Sequence, residues 1–439
     1  MIRKGQVARI RTKFERILNL NAPILYWIRR DLRTIDNAAL SYAVASGRAV
    51  IPVFILDSVI AAYGAAPRWR LGLGLEHLDK SYRALGTKLI FRSGEALSVL
   101  ETLISETGAE SVVWNRLYEP QTRARDKNIK KNLKIKGLDI RSFPGMLMFE
   151  PWTVETGGGT FYKVYTPFWK SVKQREVADI LEAPKSILSP ERWPVSEELS
   201  AWNLGGGMEG GADVVRPYVR IGESAAQLRL WEFVSNDIHD YVKQRDIPYI
   251  SATSGLSENL AMGEISPGQC WHAARVAFQQ GDKGAETFIK ELVWREFAYH
   301  LMFHTPHLLT KNWKPDWDYF PWQTDESSPY VLAWKRGRTG VPFVDAAMRE
   351  MYVTGRMHNR GRMIVASYLT KHLLCHWQIG QKWFENCLVD WDPANNAMGW
   401  QWSAGSGPDA TPYFRVFNAE TQLQKFDPEY RYIQQWIAE

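Results

Sequence analysis

The chain has 439 residues, of which 45% are apolar and 23% charged, with a net charge of +6. That length exceeds what one core fills, so two domains are expected, and the composition excludes a disordered, collagen-like or membrane-embedded chain. Three scattered cysteines without a C-x-x-C pair argue against a disulfide scaffold or cysteine zinc site, and for a reducing, cytoplasmic setting.

Residues 1–23 are basic (Arg3, Lys4, Arg9, Arg11, Lys13, Arg16) but lack an apolar core and a cleavage site. They read as a solvated N-terminal extension, not a signal peptide. From 24 to 150, short apolar runs alternate with helical patterns. Strands are expected at 24–28, 49–56, 88–91, 111–114 and 138–143, and helices at 36–46, 69–85, 96–107 and 121–134. The glycines Gly47, Gly86, Gly108 and Gly137 punctuate them. This predicts an α/β fold, a doubly wound five-stranded parallel sheet with helices on both faces. Residues 151–224 are rich in Gly and Pro and read as a long interdomain linker draped over the surface. Residues 225–439 form the second, all-helical domain, with helices expected at 225–245, 285–303, 343–354, 359–374 and 379–389.

No G-x-x-x-x-G-K phosphate loop is present, and Gly72-Leu73-Gly74 lacks the third glycine of a dinucleotide fingerprint. The pairs His300/His304 and His372/His376 have helical spacing but no third ligand, so no metal site is expected. The 20 tryptophans crowd the C-terminal half. Residues 390–402 pack two carboxylates, three amides and three indoles into thirteen positions, which suits a planar heteroaromatic ligand.

Several segments in order resemble the photolyase/cryptochrome family, closest to bacterial class I-type cyclobutane pyrimidine dimer photolyases. They are Tyr26–Arg33 with Asp36-Asn37, Thr166–Lys170, Thr253–Ser257, Glu291–Phe297, Met357–Met363 and Asp390–Trp402. The resemblance runs from about Ile24 to the end. It implies an α/β antenna domain and a helical domain holding FAD, active in its reduced form. Tyr241, Thr253, Ser254, Gly255, Leu256 and Ser257 would then hold the phosphates, although Gly255 stands where many relatives carry Arg. Arg295, Asn359 and Arg362 would lie beside the flavin, Asp390 and Asp392 at its edge, and Asn396 facing N5.

The implied activity is light-driven repair of cyclobutane pyrimidine dimers in DNA, by electron transfer to a flipped-out lesion. Trp294 and Trp402 would clasp the lesion, Glu291 would hydrogen-bond its carbonyl edge, and Asn359 and Met363 would line its pocket. Trp400, Trp377 and Trp322 match the family's electron-transfer chain. Arg360 and Arg415 match phosphate contacts. The helix 121–134 reads as a solvated basic face. Glu119, in Trp114–Pro120, matches the neighbourhood of an antenna, methenyltetrahydrofolate or deazaflavin. The expected partner is dimer-containing DNA, with no membrane, and the protein acting as a monomer.

The rival reading is a cryptochrome, DASH-like or signalling. Trp402 and Glu291 weigh against it, as does the lack of a long extension after Trp436. A six-four photolyase would need His at the positions of Asn359 and Met363.

Overall fold

In the computed structural model, residues 22–409 and 416–437 are described. Arg415 and most of the basic N-terminal extension therefore lie outside the described residues. Five parallel strands, β1 (Ile24–Ile28), β2 (Val50–Leu56), β3 (Ile90–Ser93), β4 (Ser111–Asn115) and β5 (Asp139–Phe143), form one sheet in the order β3-β2-β1-β4-β5. Strand order reverses beside β1, as in a doubly wound sheet. The helices α1 (Ala38–Ala45), α2 (Ala65–Ala84), α3 (Ala96–Thr107) and α4 (Pro120–Ile135) connect the strands. All residues of β1 and β4 are buried, and β1 is accordingly apolar throughout rather than alternating. The expected strand 88–91 is shifted two residues on, because pairing of Val53 with Ile90 sets its register.

The expected linker is less superficial than its composition implies. Within it, α5 (Tyr165–Val172) buries Tyr165, Phe168 and Val172, spaced i, i+3, i+7, in the core of the helical half. Ile187 and Leu204 enter the sheet's core instead. The segment thus stitches the two halves together.

The helical half contains α6 (Glu223–Glu232), α7 (Ser257–Met262), α8 (Pro267–Gln279), α9 (Lys283–His304), α10 (Pro342–Thr354), α11 (Asn359–Ser367), α12 (Trp377–Cys387), α13 (Pro393–Ala404), α14 (Ala419–Phe426) and α15 (Arg431–Trp436). Two expected helices are shorter than the sequence pattern predicts. The run 225–245 is interrupted by a widened π turn at Phe233–Asp237 and resumes only at Tyr241–Gln244. The Ile238 carbonyl there presses on Gly284 of α9, where a Cβ would lie 1.7 Å away. The run 359–374 likewise ends in a π turn, Tyr368–His372.

The halves are joined by a buried ion cluster. Arg70 of α2 donates Nε to Glu258 and Nη1 to Glu264, both at 3.0 Å, and all three side chains are fully buried. Arg356 adds a second cation to Glu258. Among the described residues no helix is long and apolar enough to cross a membrane.

Candidate functional site

A cavity of about 970 Å³ opens in the helical half. At one end lies the loop before α7. Thr253, Ser254, Gly255, Leu256 and Ser257 line it, with Tyr241. Gly255 has φ +62°, a left-handed conformation that glycine adopts without strain. Arg229, which sequence reasoning missed, fixes the loop from behind through the carbonyls of Thr253 (2.6 Å) and Ser254 (2.8 Å). Hydroxyl groups with backbone amides at a helix start suit an anionic group.

Across the middle, Asp390 accepts two bonds from Arg362 Nη2, at 3.0 and 2.7 Å. Asp392 caps α13, its Oδ1 accepting from the Asn395 backbone N–H at 2.9 Å. Arg295, Asn396 and Trp400 also line the cavity. Asn396 donates its amide to the Gln381 carbonyl at 3.0 Å. Trp400 Nε1 is buried without a partner. An orphaned indole donor, paired carboxylates and an amide fit the heteroatom edge of a planar ring system.

At the open end stand Glu291, Trp294, Asn359, Met363 and Trp402, all lining the same cavity. Glu291 and Trp294 share one face of α9, three residues apart, and Asn359 and Met363 one face of α11, four apart. Tyr165 of α5 stacks on Trp294 with ring centres 3.6 Å apart and planes 6° from parallel. Trp402 packs on Phe417 at 5.7 Å. Glu291 is ion-paired with Arg245, which also lines the cavity. Burial pushes the neighbouring Glu350 carboxyl up to about 7 and the His358 imidazole down to about 4.

Three expected residues lie off the cavity. Arg360 pairs with Asp246 at 2.7 Å and lies over the Phe426 ring. Trp377 is fully buried, its Nε1 donating to Asn312 at 2.8 Å. Trp322 stacks on Trp317 at 5.7 Å. The ring of His376 lies 5.4 Å from that of Trp377 and 5.6 Å from that of Trp322.

Outside the cavity, Glu119 is committed to Arg30 at 2.6 Å and accepts from the Thr122 hydroxyl at 3.0 Å. Helix α4 is only partly a solvated face. Lys127, Lys131 and Lys134 are exposed. Arg123 reaches over the Phe303 ring of the helical half, and Arg125 pairs with Asp57. His300 accepts from the Tyr162 N–H, and no metal-binding cluster occurs among the described residues.

These features define a two-part protein whose helical half takes an extended, planar, partly anionic ligand. Residues 24–186 match the DNA photolyase family model, and residues 288–439 match the FAD-binding domain of DNA photolyase. The deoxyribodipyrimidine photo-lyase of Agrobacterium fabrum is 46% identical over 423 residues, 95% of this chain and 87% of its own. A crystal structure of a bacterial class III photolyase from Agrobacterium tumefaciens matches with a TM-score of 0.92 at 45% identity, covering 95% of this chain and 87% of that one. Cryptochrome-2 of Arabidopsis thaliana is 34% identical over 96% of this chain and 71% of its own. The chain belongs to the photolyase/cryptochrome family, and its helical half is an FAD-binding domain. Its motifs resemble the class I type, and the solved Agrobacterium tumefaciens structure it is similar to is that of a class III photolyase.

Proposed function

We propose that the protein is a light-driven photolyase acting on cyclobutane pyrimidine dimers in DNA, as a cytoplasmic monomer. One observation carries this. Glu291, Trp294, Asn359, Met363 and Trp402 line the same cavity as the residues suited to FAD. Reduced FAD, when bound, supplies on illumination the electron that opens the cyclobutane ring.

The protein's own residues do the rest. Trp294 and Trp402 offer π faces to the flipped lesion, worth about 1–3 kcal/mol per stacked base. Tyr165 backs Trp294 and keeps that indole from tilting as the lesion enters. Met363 supplies a soft, adaptable wall. Glu291 meets the pyrimidine carbonyl edge where negative charge develops. Arg245 holds its carboxylate in place before the lesion arrives. Tyr241, Thr253, Ser254, Gly255, Leu256 and Ser257 hold the FAD phosphates. Arg295, Arg362, Asp390, Asp392 and Asn396 address its ring and ribityl edge. Trp400, Trp377 and Trp322 carry electrons inward from the surface. Arg360 and Arg415 bind the DNA phosphates, giving salt-dependent affinity without sequence preference.

Illumination of the chemically reduced holoprotein with a duplex carrying one dimer tests the reading. Dimers should disappear under light and persist in the dark. Reduced FAD bound with no dimer loss in duplex or single-stranded DNA overturns it, leaving the cryptochrome reading. Glu291→Ala should lower the repair yield with FAD still bound.

A further inference from the structure

The α/β half reaches the wall of the FAD cavity through a buried relay. Arg30, just past β1, is 4% exposed, and Tyr299, on α9, is 0% exposed. Arg30 Nη2 donates to the Tyr299 hydroxyl at 2.8 Å and to Glu119 Oε1 at 2.6 Å. Tyr299 donates in turn to Asp392 Oδ2 at 2.6 Å. Because a guanidinium can only donate, the Tyr299 oxygen must accept from Arg30, and its single proton is directed to Asp392. Asp392 Oδ1 is already taken by the Asn395 backbone and side-chain N–H groups, each at 2.9 Å. Both oxygens of Asp392 are therefore fixed, one by its own helix and one by the relay.

Charge follows the same line. Arg30 Nε and Nη1 are buried with no partner, so Glu119 alone does not satisfy this cation. Its remaining pull falls on Tyr299 and, through it, on Asp392. Burial pushes the Tyr299 hydroxyl well above its ordinary range, so it stays a donor.

We infer that Arg30 and Tyr299 are positioning residues that hold Asp392 aimed and partly neutralised, so that the α/β half, with Glu119 as counter-charge, helps set the redox potential of FAD. This rests on the placement of FAD beside Asp392. Removing the Tyr299 hydroxyl leaves a less neutralised anion beside the cofactor, which disfavours the electron-rich reduced form. Removing the Glu119 charge frees Arg30 to neutralise Asp392 more fully, which favours it.

The test is the midpoint potential of FAD in the holoprotein, followed through its absorption. Tyr299→Phe should retain FAD, lower the potential and speed reoxidation in air. Glu119→Gln should raise the potential. A purely structural relay would leave both unmoved or shift them in one direction, and either result overturns the inference. Asp392→Asn supplies the separate check, since removing the anion should raise the potential. If it leaves the potential of bound FAD unchanged, the placement of FAD beside Asp392 fails, and the relay fails with it.

Discussion

At the scale of residues, one dipeptide makes two ion pairs, one at the cavity wall and one beside it. Arg245 holds Glu291, and Asp246 holds Arg360. Arg360 has only 14% of its side chain exposed, which is low for a group that must reach a phosphate. Phosphate binding by Arg360 therefore has to displace Asp246. A part-exposed pair of this kind contributes about 0.5–1 kcal/mol. Asp246→Asn should then tighten binding of undamaged duplex roughly two- to fivefold at low salt. The gain should fade as ionic strength rises. Fluorescence anisotropy across a salt series checks it. Unchanged or weaker binding would mean that Asp246 orients Arg360 for phosphate rather than withholding it.

At the scale of elements, α12 and α13 meet at one glycine. A Cβ on Gly380 would lie 2.0 Å from Trp400 Cη2, so the indole occupies the notch that glycine leaves. Trp377 sits one turn earlier on α12, on the same side. Gly380→Ala must push Trp400 out of place or part the two helices, and overpacking of this sort costs about 1–3 kcal/mol. The melting temperature should fall, and photoreduction of bound FAD should slow. An unchanged photoreduction rate in a destabilised variant would separate the packing of Trp400 from electron transfer. Such contacts also mark what the sequence could and could not reveal. β1 and β2 were legible because both sheet faces are covered and their runs are apolar throughout. The cavity residues were legible because they sit in compact segments such as 253–257, 291–297 and 390–402. The break in 225–245 was not, because the close packing of Ile238 on Gly284 beside it involves a residue far along the chain, invisible to local periodicity. Helix α5 was hidden by its Gly-rich surroundings, although Tyr165, Phe168 and Val172 carried the helical spacing. Arg30 and Tyr299 escaped for the same reason as the break: 269 positions separate them, and neither touches the cavity as a motif would.

At the scale of the whole molecule, buried titratable groups of opposite sign set how stability varies with pH. Burial pushes Glu296 and Glu350 up to about 7 from an ordinary 4.5. A carboxyl raised in the folded state holds its proton more tightly there. Its contribution is complete below 4.5 and is lost as pH rises through about 7. Burial pushes His300 and His358 down to about 3 and about 4 from 6.5. Their contribution is complete above 6.5 and is lost as pH falls towards those values. The geometry agrees, because both imidazoles are needed neutral. His300 Nε2 accepts from the Tyr162 N–H, and His358 Nδ1 accepts from the Arg360 N–H. Between 4.5 and 6.5 the two pairs therefore oppose each other as pH falls, and the native protein should show a shallow stability profile there. Substitution should expose each arm. Glu296→Gln keeps an acceptor for the Met148 and Phe149 N–H groups that now bond its carboxylate. It should be more stable than the native chain at pH 8 but not at pH 5, because only the ionised carboxylate carries the burial cost. Urea midpoints at pH 5, 6.5 and 8 decide it. A constant offset between the two proteins at all three would mean that Glu296 does not titrate in this range. Glu350 alone would then oppose the histidines on the acid side.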